Sequence, residues 1–361
     1  MPAENVLCYD CHDSEATIEV RKRHLCRQCF QNYVGSKILK RMETYRFKNQ
    51  AKINPSSNIN NQRKRLLLPL SGGVSSLVLL EVLDKQIKKQ IAQQGRTAYD
   101  LVICHVDLGD VRHTGVDATD FTWYQAVQHK VGENHHFLPV TIFHQIFEYD
   151  KGIQEDLEFL GLIRLHDECD MEYIRRIMRC ARTPTARSDI STILLRRMLV
   201  AIAKQQECNS ILWGHNDSTL AALTLSSVAK GRGGAVSSDL SDGPSLWPDL
   251  NFNYPMRDLF ETELQMYCDS LPDLRNCLAP ISTTEAPVSL RATSIDLLMS
   301  SYITGQGEKY PSIMANVVKT AGKLQTAKHE GFHCRFCAAP IYGSGEGLCY
   351  GCERMKQDVE T

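Results

Sequence analysis

Eight of the 14 cysteines fall into four Cys-x-x-Cys pairs, two near each end of the 361-residue chain. The pairs are Cys8 with Cys11, Cys26 with Cys29, Cys334 with Cys337, and Cys349 with Cys352. A pair at this spacing places two thiolates on one side of a zinc ion, and a second pair completes the tetrahedron. We therefore expect one structural zinc ion at each end of the chain, without a catalytic role. The spacing leaves open whether ligands are shared between the termini.

A second candidate site is the Ser-Gly-Gly-Val-Ser-Ser loop at residues 71–76, between a short apolar run and an amphipathic segment. Glycines let backbone N–H groups approach a phosphate, and a helix N-terminus favours the anion. Two further loops, around 105–109 and 214–217, each follow an apolar run. The residues expected to border one nucleotide-binding crevice are Ser71, Gly72, Gly73, Ser76, His105, Asp107, Gly214 and His215.

Basic residues are unevenly distributed. Residues 1–65 carry 13 Lys/Arg against 6 Asp/Glu, although the whole chain has a net charge of −1. Clusters of this kind attract a polyanion. The candidates for phosphate contact are Lys37, Lys40, Arg41, Arg46, Lys48, Arg63, Lys64, Arg65, Arg175, Arg176 and Arg179. A solvated basic helix, or pairing of the later arginines with acids at 148–172, explains the same pattern and stays open.

Strand and helix patterns alternate from residue 65 onwards, which predicts an α/β domain with a doubly wound parallel sheet. The expected boundaries are a zinc module with a basic helix at 1–50, a linker at 51–64, the α/β domain at 65–285, a helical segment at 286–329 and a zinc ribbon-like module at 330–361. Within the α/β domain we expect Ser188 to cap a long helix. The Gly/Ser-rich segment 230–239 is expected to be a mobile loop.

The chain shows neither a secretory h-region at its start nor an apolar run of about 18 residues. With 43% hydrophobic residues, it is long enough to bury a large core. Paired Cys-x-x-Cys motifs without a signal peptide are typical of metal sites in a reducing compartment. The sequence therefore predicts a soluble cytoplasmic protein with no membrane association.

The three loops resemble those of the PP-loop ATP pyrophosphatase superfamily, whose hallmark is Ser-Gly-Gly-x-Asp-Ser. The cysteine-rich ends and segment 254–267 further resemble the tRNA-thiolating branch, and within it the cytoplasmic tRNA 2-thiolation protein 2 family. This resemblance implies a PP-loop fold (adenine nucleotide alpha-hydrolase-like) and a heterodimer with a catalytic PP-loop subunit. It also implies tRNA binding for 2-thiolation of the wobble uridine, with sulfur from a thiocarboxylated ubiquitin-related modifier.

Two departures from the active pattern predict a non-catalytic or only jointly catalytic subunit. Ser75 stands where the hallmark has an Asp that helps to position Mg²⁺ and phosphates. No Cys-x-x-Cys occurs between Cys29 and Cys334, although active thiolases carry one ahead of the helix that holds Arg196 and Arg197. Cys169 and Cys180 are too far apart in sequence to replace it, and we expect both to be free, buried cysteines.

Two other functions remain open from the sequence. One is an independent ATP-dependent tRNA sulfurtransferase, against which Ser75 and the missing cysteine pair argue. The other is a zinc-stabilised interaction scaffold without RNA contact, against which the basic residues at 36–65 argue. ATP binding, stability without a partner and the choice of tRNA are not predicted.

Overall fold

The computed structural model describes residues 6–45, 63–109, 121–280, 293–307, 310–323, 332–341 and 347–359. The predictions for Arg46, Lys48 and most of the linker at 51–64 lie outside these residues. The strands are β1 Ile18–Val20, β2 Arg23–Leu25, β3 Lys64–Pro69, β4 Tyr99–Cys104, β5 Val106–Asp107, β6 His136–Phe137, β7 Thr141–Ile142, β8 Ser210–Leu212, β9 Gly243–Pro244 and β10 Asn251–Asn253. The helices are α1 Arg27–Arg41, α2 Val74–Gln94, α3 Thr122–Val131, α4 Ile146–Tyr149, α5 Ile153–Phe159, α6 Asp170–Cys180, α7 Pro184–Gln205, α8 Asp217–Ala229, α9 Val236–Asp239, α10 Glu261–Asp269, α11 Pro272–Arg275, α12 Ile295–Gly307, α13 Pro311–Ala321 and α14 Tyr350–Gln357.

Six strands form one sheet in the order β6-β4-β3-β8-β10-β9. β3 pairs in parallel with both β4 and β8, β6 pairs in parallel with β4, and β10 with β8. At the edge, β9 pairs antiparallel with β10. The predicted α/β fold with a mostly parallel sheet is confirmed.

Helices cover both faces of the sheet because successive side chains of a strand point in opposite directions. Leu66 and Leu68 of β3 lie in a core with α1, α2, α3 and α10. Leu67, between them, lies in a second core with α4 to α8. Burial on both faces explains why β3 is a continuous apolar run rather than an alternating one.

The two cysteine-rich modules join different cores. Cys8 and Phe30 are buried in the core that contains Leu66, whereas Cys334 and Phe336 are buried in the core that contains Leu67. The modules therefore pack on opposite faces of the central sheet. α12 and α13 pack against α8 on the second of these faces. Within the described ranges, no helix combines the length and the hydropathy that crossing a bilayer requires.

α7 begins earlier than the sequence predicts, and the expected cap at Ser188 is wrong. The helix starts at Pro184, and the hydroxyl of Thr183 accepts a hydrogen bond from Ala186 N at 3.1 Å. Proline suits the first helical position because its missing N–H would have no partner there. Ser188 lies one turn further on and donates to Asp296 Oδ2 at 2.8 Å.

The segment 230–239 is also not the mobile loop that its glycines and serines predict. It forms a 3₁₀ turn at Gly233–Ala235 followed by α9. Lys230 Nζ lies 3.1 Å from Asp189 Oδ1, and Arg232 Nη1 lies 2.6 Å from Asp189 Oδ2. All three side chains are less than 10% exposed. Burial of paired charges holds this segment in place, because separating the partners would leave a buried charge uncompensated.

Candidate functional site

The carboxyl ends of β3, β4 and β8 open onto one cavity of about 730 Å³. Seven of the eight predicted nucleotide-binding residues line it, together with Ser75: Ser71, Gly73, Ser76, His105, Asp107, Gly214 and His215. Parallel strands bring the loops after them to the same edge of the sheet. The structure thus places together the three loops that the sequence singles out.

The eighth residue, Gly72, packs against the chain rather than lining the cavity. Its φ is +78°, and a Cβ added there would lie 2.4 Å from Ala279 Cβ and 3.0 Å from the Trp123 ring. Ala279 N also donates to Gly72 O at 3.0 Å. Packing of residue 279 on the loop therefore requires glycine at this position, independently of any bound phosphate.

The hydroxyl groups of the loop bond to the loop itself. Ser76 Oγ donates to Gly73 O at 2.9 Å and lies 3.1 Å from Ser71 Oγ. Gly73 N donates to Ser71 Oγ at 3.3 Å. Ser75 Oγ accepts a long hydrogen bond from Asn216 Nδ2 at 3.5 Å. Gly73 N–H, one of the donors expected to face a phosphate, is therefore already occupied.

The charge of the cavity wall is negative. Among the described lining residues, the charged side chains are Asp107 and Glu261, with neither lysine nor arginine. Proteins hold transferring phosphates with lysine, arginine or a bound cation. The described wall therefore lacks the positive charge that a polyphosphate needs.

Aromatic rings form two walls of the cavity that the sequence analysis did not predict. The His105 ring lies edge-on to Trp123, with ring centroids 4.9 Å apart. His215 stacks between Trp213 and Tyr254, at centroid distances of 5.4 and 5.9 Å. Burial, together with the charge of Arg196, lowers the pKa of His215 to about 4, so its imidazole is neutral at pH 7.

Asp217, at the start of α8, is buried beside the cavity. Its Oδ1 accepts from Ser218 N at 2.6 Å, whereas its Oδ2 is buried without a hydrogen-bond partner among the described residues. Burial raises the pKa of this carboxyl group to about 6, and the hydrogen bonds from Ser218 oppose the shift. A carboxylate in this position destabilises the folded state at neutral pH.

The eight paired cysteines form two separate clusters. In each set of four, the sulfur atoms all lie within 4.8 Å of one another. Zinc–sulfur bonds of about 2.3 Å in a tetrahedron require sulfurs about 3.8 Å apart. Cys11 and Cys26 Sγ are 3.9 Å apart, and Cys337 and Cys349 Sγ are 3.5 Å apart. The donors fit one four-coordinate ion at each end, and the ligands group within each terminus rather than across them.

A helix start positions the second pair of each cluster. Cys26 caps α1, where its Sγ accepts from Cys29 N at 3.5 Å, and Cys349 immediately precedes α14. A Cys-x-x-Cys pair at a helix start turns both sulfurs toward the same point. The clusters differ in burial: Cys11 and Cys29 are partly exposed, whereas all four C-terminal cysteines are buried.

The candidate RNA-contact residues lie on both sides of the protein. α1 buries Phe30 and Ile38 in one core, and α6 buries Ile174 and Ile177 in the other, so their basic side chains belong to opposite faces of the sheet. One RNA molecule would have to pass around an edge of the sheet to contact both.

Several of these basic side chains have partners within the chain. Arg41 Nη2 lies 2.7 Å from Asp258 Oδ2, and Lys37 Nζ donates to Asp258 O at 3.1 Å. Arg176 Nε lies 2.8 Å from Glu168 Oε1, as intramolecular pairing predicts. Further contacts join Arg63 with Asp100 at 3.6 Å and Lys64 with the ring of Tyr45 at 5.3 Å. Lys40, Arg175 and Arg179 are exposed, and Arg65 is half-buried.

Cys169 and Cys180 stand at opposite ends of the 11-residue helix α6, which separates them by about 16 Å. They cannot form the cysteine pair that is missing from the sequence. The expectation that both are buried is wrong: Cys169 is exposed and Cys180 half-buried. Cys169 precedes the first helical turn, and its N–H donates to Glu172 Oε2 at 3.1 Å.

Comparison with known proteins gives a consistent result. The family described as cytoplasmic tRNA 2-thiolation protein 2 matches residues 294–347. A protein of that name from Aspergillus oryzae is 37% identical over 98% of both chains, and one from Coccidioides immitis is 36% identical over 98% of both. The chain belongs to the cytoplasmic tRNA 2-thiolation protein 2 family. The names of these relatives agree with the cytoplasmic location that the cysteine usage predicts.

A solved structure supports the fold of this family member. The U34-tRNA thiolase NcsA from Methanococcus maripaludis, determined with its 4Fe-4S cluster, superposes with a TM-score of 0.61. The superposition covers 97% of this chain and 96% of the thiolase, at 16% sequence identity. This chain therefore has the same α/β fold as that solved structure.

Proposed function

We propose that this chain is a subunit for 2-thiolation of the wobble uridine in cytoplasmic tRNA, and that it has no independent catalytic centre. Membership of the 2-thiolation family supports the pathway. The observation that carries the subunit role is the state of the loop at 71–76: its hydroxyls bond internally, and Ser75 contacts Asn216.

The chemistry of this loop favours an accessory role. Serine at position 75 supplies no negative charge for Mg²⁺, and the carboxylates of Asp107 and Glu261 face the cavity without a described basic partner. Stabilisation of developing charge is usually the largest catalytic contribution, and it requires preorganised groups of the opposite sign. A catalytic PP-loop partner would then activate the uridine and receive sulfur from the ubiquitin-related carrier.

The terminal cysteine modules and the exposed basic residues of α6 are suited to binding rather than to catalysis. Zinc ions held by Cys8, Cys11, Cys26 and Cys29 and by Cys334, Cys337, Cys349 and Cys352 would stabilise the terminal modules. The side chains of Arg175 and Arg179 are exposed and are candidates for contact with the phosphates of tRNA.

The second candidate, an independent sulfurtransferase, needs closely placed thiolates at the cavity. Among the described lining residues the cysteine is Cys104, whose pKa burial raises well above its usual value. A buried, protonated thiol is a poor nucleophile and a poor cluster ligand. The cavity therefore favours the subunit role.

Reconstitution tests this proposal. Tagged chain is purified from its own cells, and its protein partners and RNA are identified by mass spectrometry and sequencing. We expect a PP-loop protein with the Ser-Gly-Gly-x-Asp-Ser motif, together with tRNA. In the purified system, 2-thiouridine should form with both subunits and not with either alone.

A variant of the loop at 71–76 makes the reconstitution experiment more specific. Gly73→Ala in this chain should leave the activity of the complex within about 2-fold, because this chain's loop performs no chemistry. Thiolation by this chain alone, abolished by Gly73→Ala, would show that the loop is catalytic. Full activity of the partner alone would show that this chain is not needed.

A further inference from the structure

The C-terminal cysteine cluster is contacted by a buried arginine from the α/β domain. Arg232, in the turn between α8 and α9, places Nη2 3.5 Å from Cys352 Sγ. Its Nη1 lies 2.6 Å from Asp189 Oδ2 on α7, and the Arg232 side chain is 9% exposed. The guanidinium group therefore bridges a carboxylate of the α/β domain and a sulfur of the cluster.

Two glycines make this contact possible. A Cβ at Gly351, inside the Cys349–Cys352 turn, would lie 2.8 to 2.9 Å from Cγ, Nε and Cζ of Arg232. A Cβ at Gly231, where φ is +80°, would lie 2.3 Å from the Tyr350 ring. Each segment thus has a glycine where the other inserts a large side chain. The fit holds the arginine against the cysteine turn.

Further ion pairs fix the orientation of Arg232. Asp189 also pairs with Lys230 at 3.1 Å, and Lys230 pairs with Asp296 of α12 at 2.7 Å. Asp296 accepts from Ser188 at 2.8 Å. These groups come from α7, from α12 and from the residue that follows α8, so three segments set the position of one guanidinium group. A hydrogen-bond donor held in this way is what a metal-bound thiolate accepts from its surroundings.

The N-terminal cluster differs. There, the described donors to the cysteine sulfurs from outside the four thiol groups are backbone amides, such as Cys29 N to Cys26 Sγ and the amides of Asp13 and Ser14 to Cys11. Cys11 and Cys29 are also partly exposed. Among the described residues, no lysine or arginine contacts the sulfurs of the N-terminal cluster. Four thiolates and one divalent cation carry a net negative charge, which a neighbouring cation stabilises most strongly where water is excluded.

We propose that Arg232 is a positioning residue for the C-terminal metal site: it donates to the Cys352 thiolate, and it makes this ion slower to leave than the N-terminal one. The proposal rests on metal occupancy of both clusters, as proposed above. It assigns to the turn after α8 a role in metal retention that is separate from RNA binding and from the cavity.

Metal release from the full-length protein tests the proposal. Zinc-loaded protein is mixed with an excess of a chromophoric chelator, and release is followed by absorbance. Two phases of one equivalent each are expected, and Cys8→Ser and Cys334→Ser assign them to their termini. Arg232→Gln should accelerate the C-terminal phase about 10-fold and leave the N-terminal phase unchanged. Arg232→Lys, which keeps the charge, should fall between.

Two further variants separate sulfur contact from general stability. Gly351→Ala keeps the arginine but displaces it, so it should accelerate the same phase even if Arg232→Gln unfolds. Arg354→Gln alters an exposed arginine of the same module and should change neither phase. Unchanged C-terminal release in folded Arg232→Gln or Gly351→Ala protein would overturn the role of Arg232. A wild-type protein without bound zinc would instead refute the metal occupancy itself.

Discussion

Arg21 and Glu263 form a two-pronged ion pair between the N-terminal module and α10. Arg21 Nε and Nη2 lie 2.8 and 3.1 Å from the two carboxylate oxygens, and the guanidinium carbon lies 4.0 Å from the centre of the Phe260 ring. The Glu263 side chain is 3% exposed and also accepts from Tyr33 at 2.9 Å. The contact attaches the turn between β1 and β2 to the α/β domain.

Loss of this pair should weaken the whole fold. Arg21→Gln leaves a buried carboxylate short of its cation, and we expect the free energy of unfolding to fall by about 1 to 2 kcal/mol. Solvent screening limits the effect, since Arg21 is 38% exposed. Urea unfolding measures it. Lys22→Gln changes an exposed neighbour and serves as the control. Equal stability of the two variants would contradict a role for the ion pair.

Metal content should respond to each terminus separately. Elemental analysis of the purified protein should give about two zinc ions per chain, because each set of four sulfurs fits one ion. Cys8→Ser and Cys334→Ser should each reduce the content to about one. If ligands were shared across the termini, either substitution would disturb both ions. A content near zero in folded wild-type protein would exclude structural zinc.

The two basic faces should contribute unequally to tRNA binding. Arg175→Gln with Arg179→Gln should reduce the slope of log affinity against log salt by about 1 per lost phosphate contact. Per substituted residue, Lys37→Gln with Arg41→Gln should reduce it less than Arg179→Gln alone, because Lys37 and Arg41 both have partners around Asp258. Binding is measured by fluorescence anisotropy at several salt concentrations. Lys89→Gln with Lys204→Gln, exposed lysines of α2 and α7, is the charge-matched control. A larger effect of Lys37→Gln with Arg41→Gln would show that the main tRNA contact lies on the face of the sheet that carries α1.

The isolated chain should release no pyrophosphate from Mg-ATP in the presence of tRNA. The described cavity wall carries Asp107 and Glu261 without a cation, and Ser75 provides no metal ligand. Ser75→Asp should not create activity, since the thiolate pair is still missing. Asp107→Asn with Glu261→Gln should tighten the binding of nucleoside triphosphate, as measured by calorimetry, because it removes two repelling charges. Turnover by the wild-type chain that disappears in Gly73→Ala would contradict this prediction.

Stability should depend on Asp217 in a defined pH range. The pKa of this carboxyl group rises from 3.8 in the unfolded chain to about 6 in the folded protein. The folded state therefore binds more protons between these values, and stability falls as pH rises through them. Asp217→Asn removes this penalty and should stabilise the protein at pH 7 by up to about 3 kcal/mol. The lowered pKa of His215 makes stability rise with pH between about 4 and 6.5. This contribution is the same in the variant and the wild type, so it cancels from their difference in stability.

Urea unfolding of both proteins at pH 4, 5, 6 and 7 measures this difference. The gain should be smallest at pH 4 and approach its maximum near pH 7. A gain that does not vary with pH would show that Asp217 keeps its ordinary pKa in the folded protein.

Local features of the sequence were sufficient for the buried strand at 65–70 and for the two cysteine clusters, although not for the start of α7 or for segment 230–239. The run at 65–70 predicts a buried strand because hydrophobicity and length are properties of the segment itself. The Cys-x-x-Cys pairs predict metal binding because both thiolates belong to one turn. The three loops predict a shared cavity because every parallel strand delivers its loop to the same edge of the sheet.

The properties that set the role of each site depend on residues that are distant in the chain. Asp107 and Glu261 meet at the cavity across more than 150 positions, Ala279 covers Gly72, and Arg232 contacts Cys352. No periodicity or spacing encodes these contacts, since they arise when helices and loops from separate segments pack on the sheet. Local chemistry therefore identified the loop and the cysteines, whereas packing determined the charge around the loop and the donor beside the C-terminal cysteine cluster.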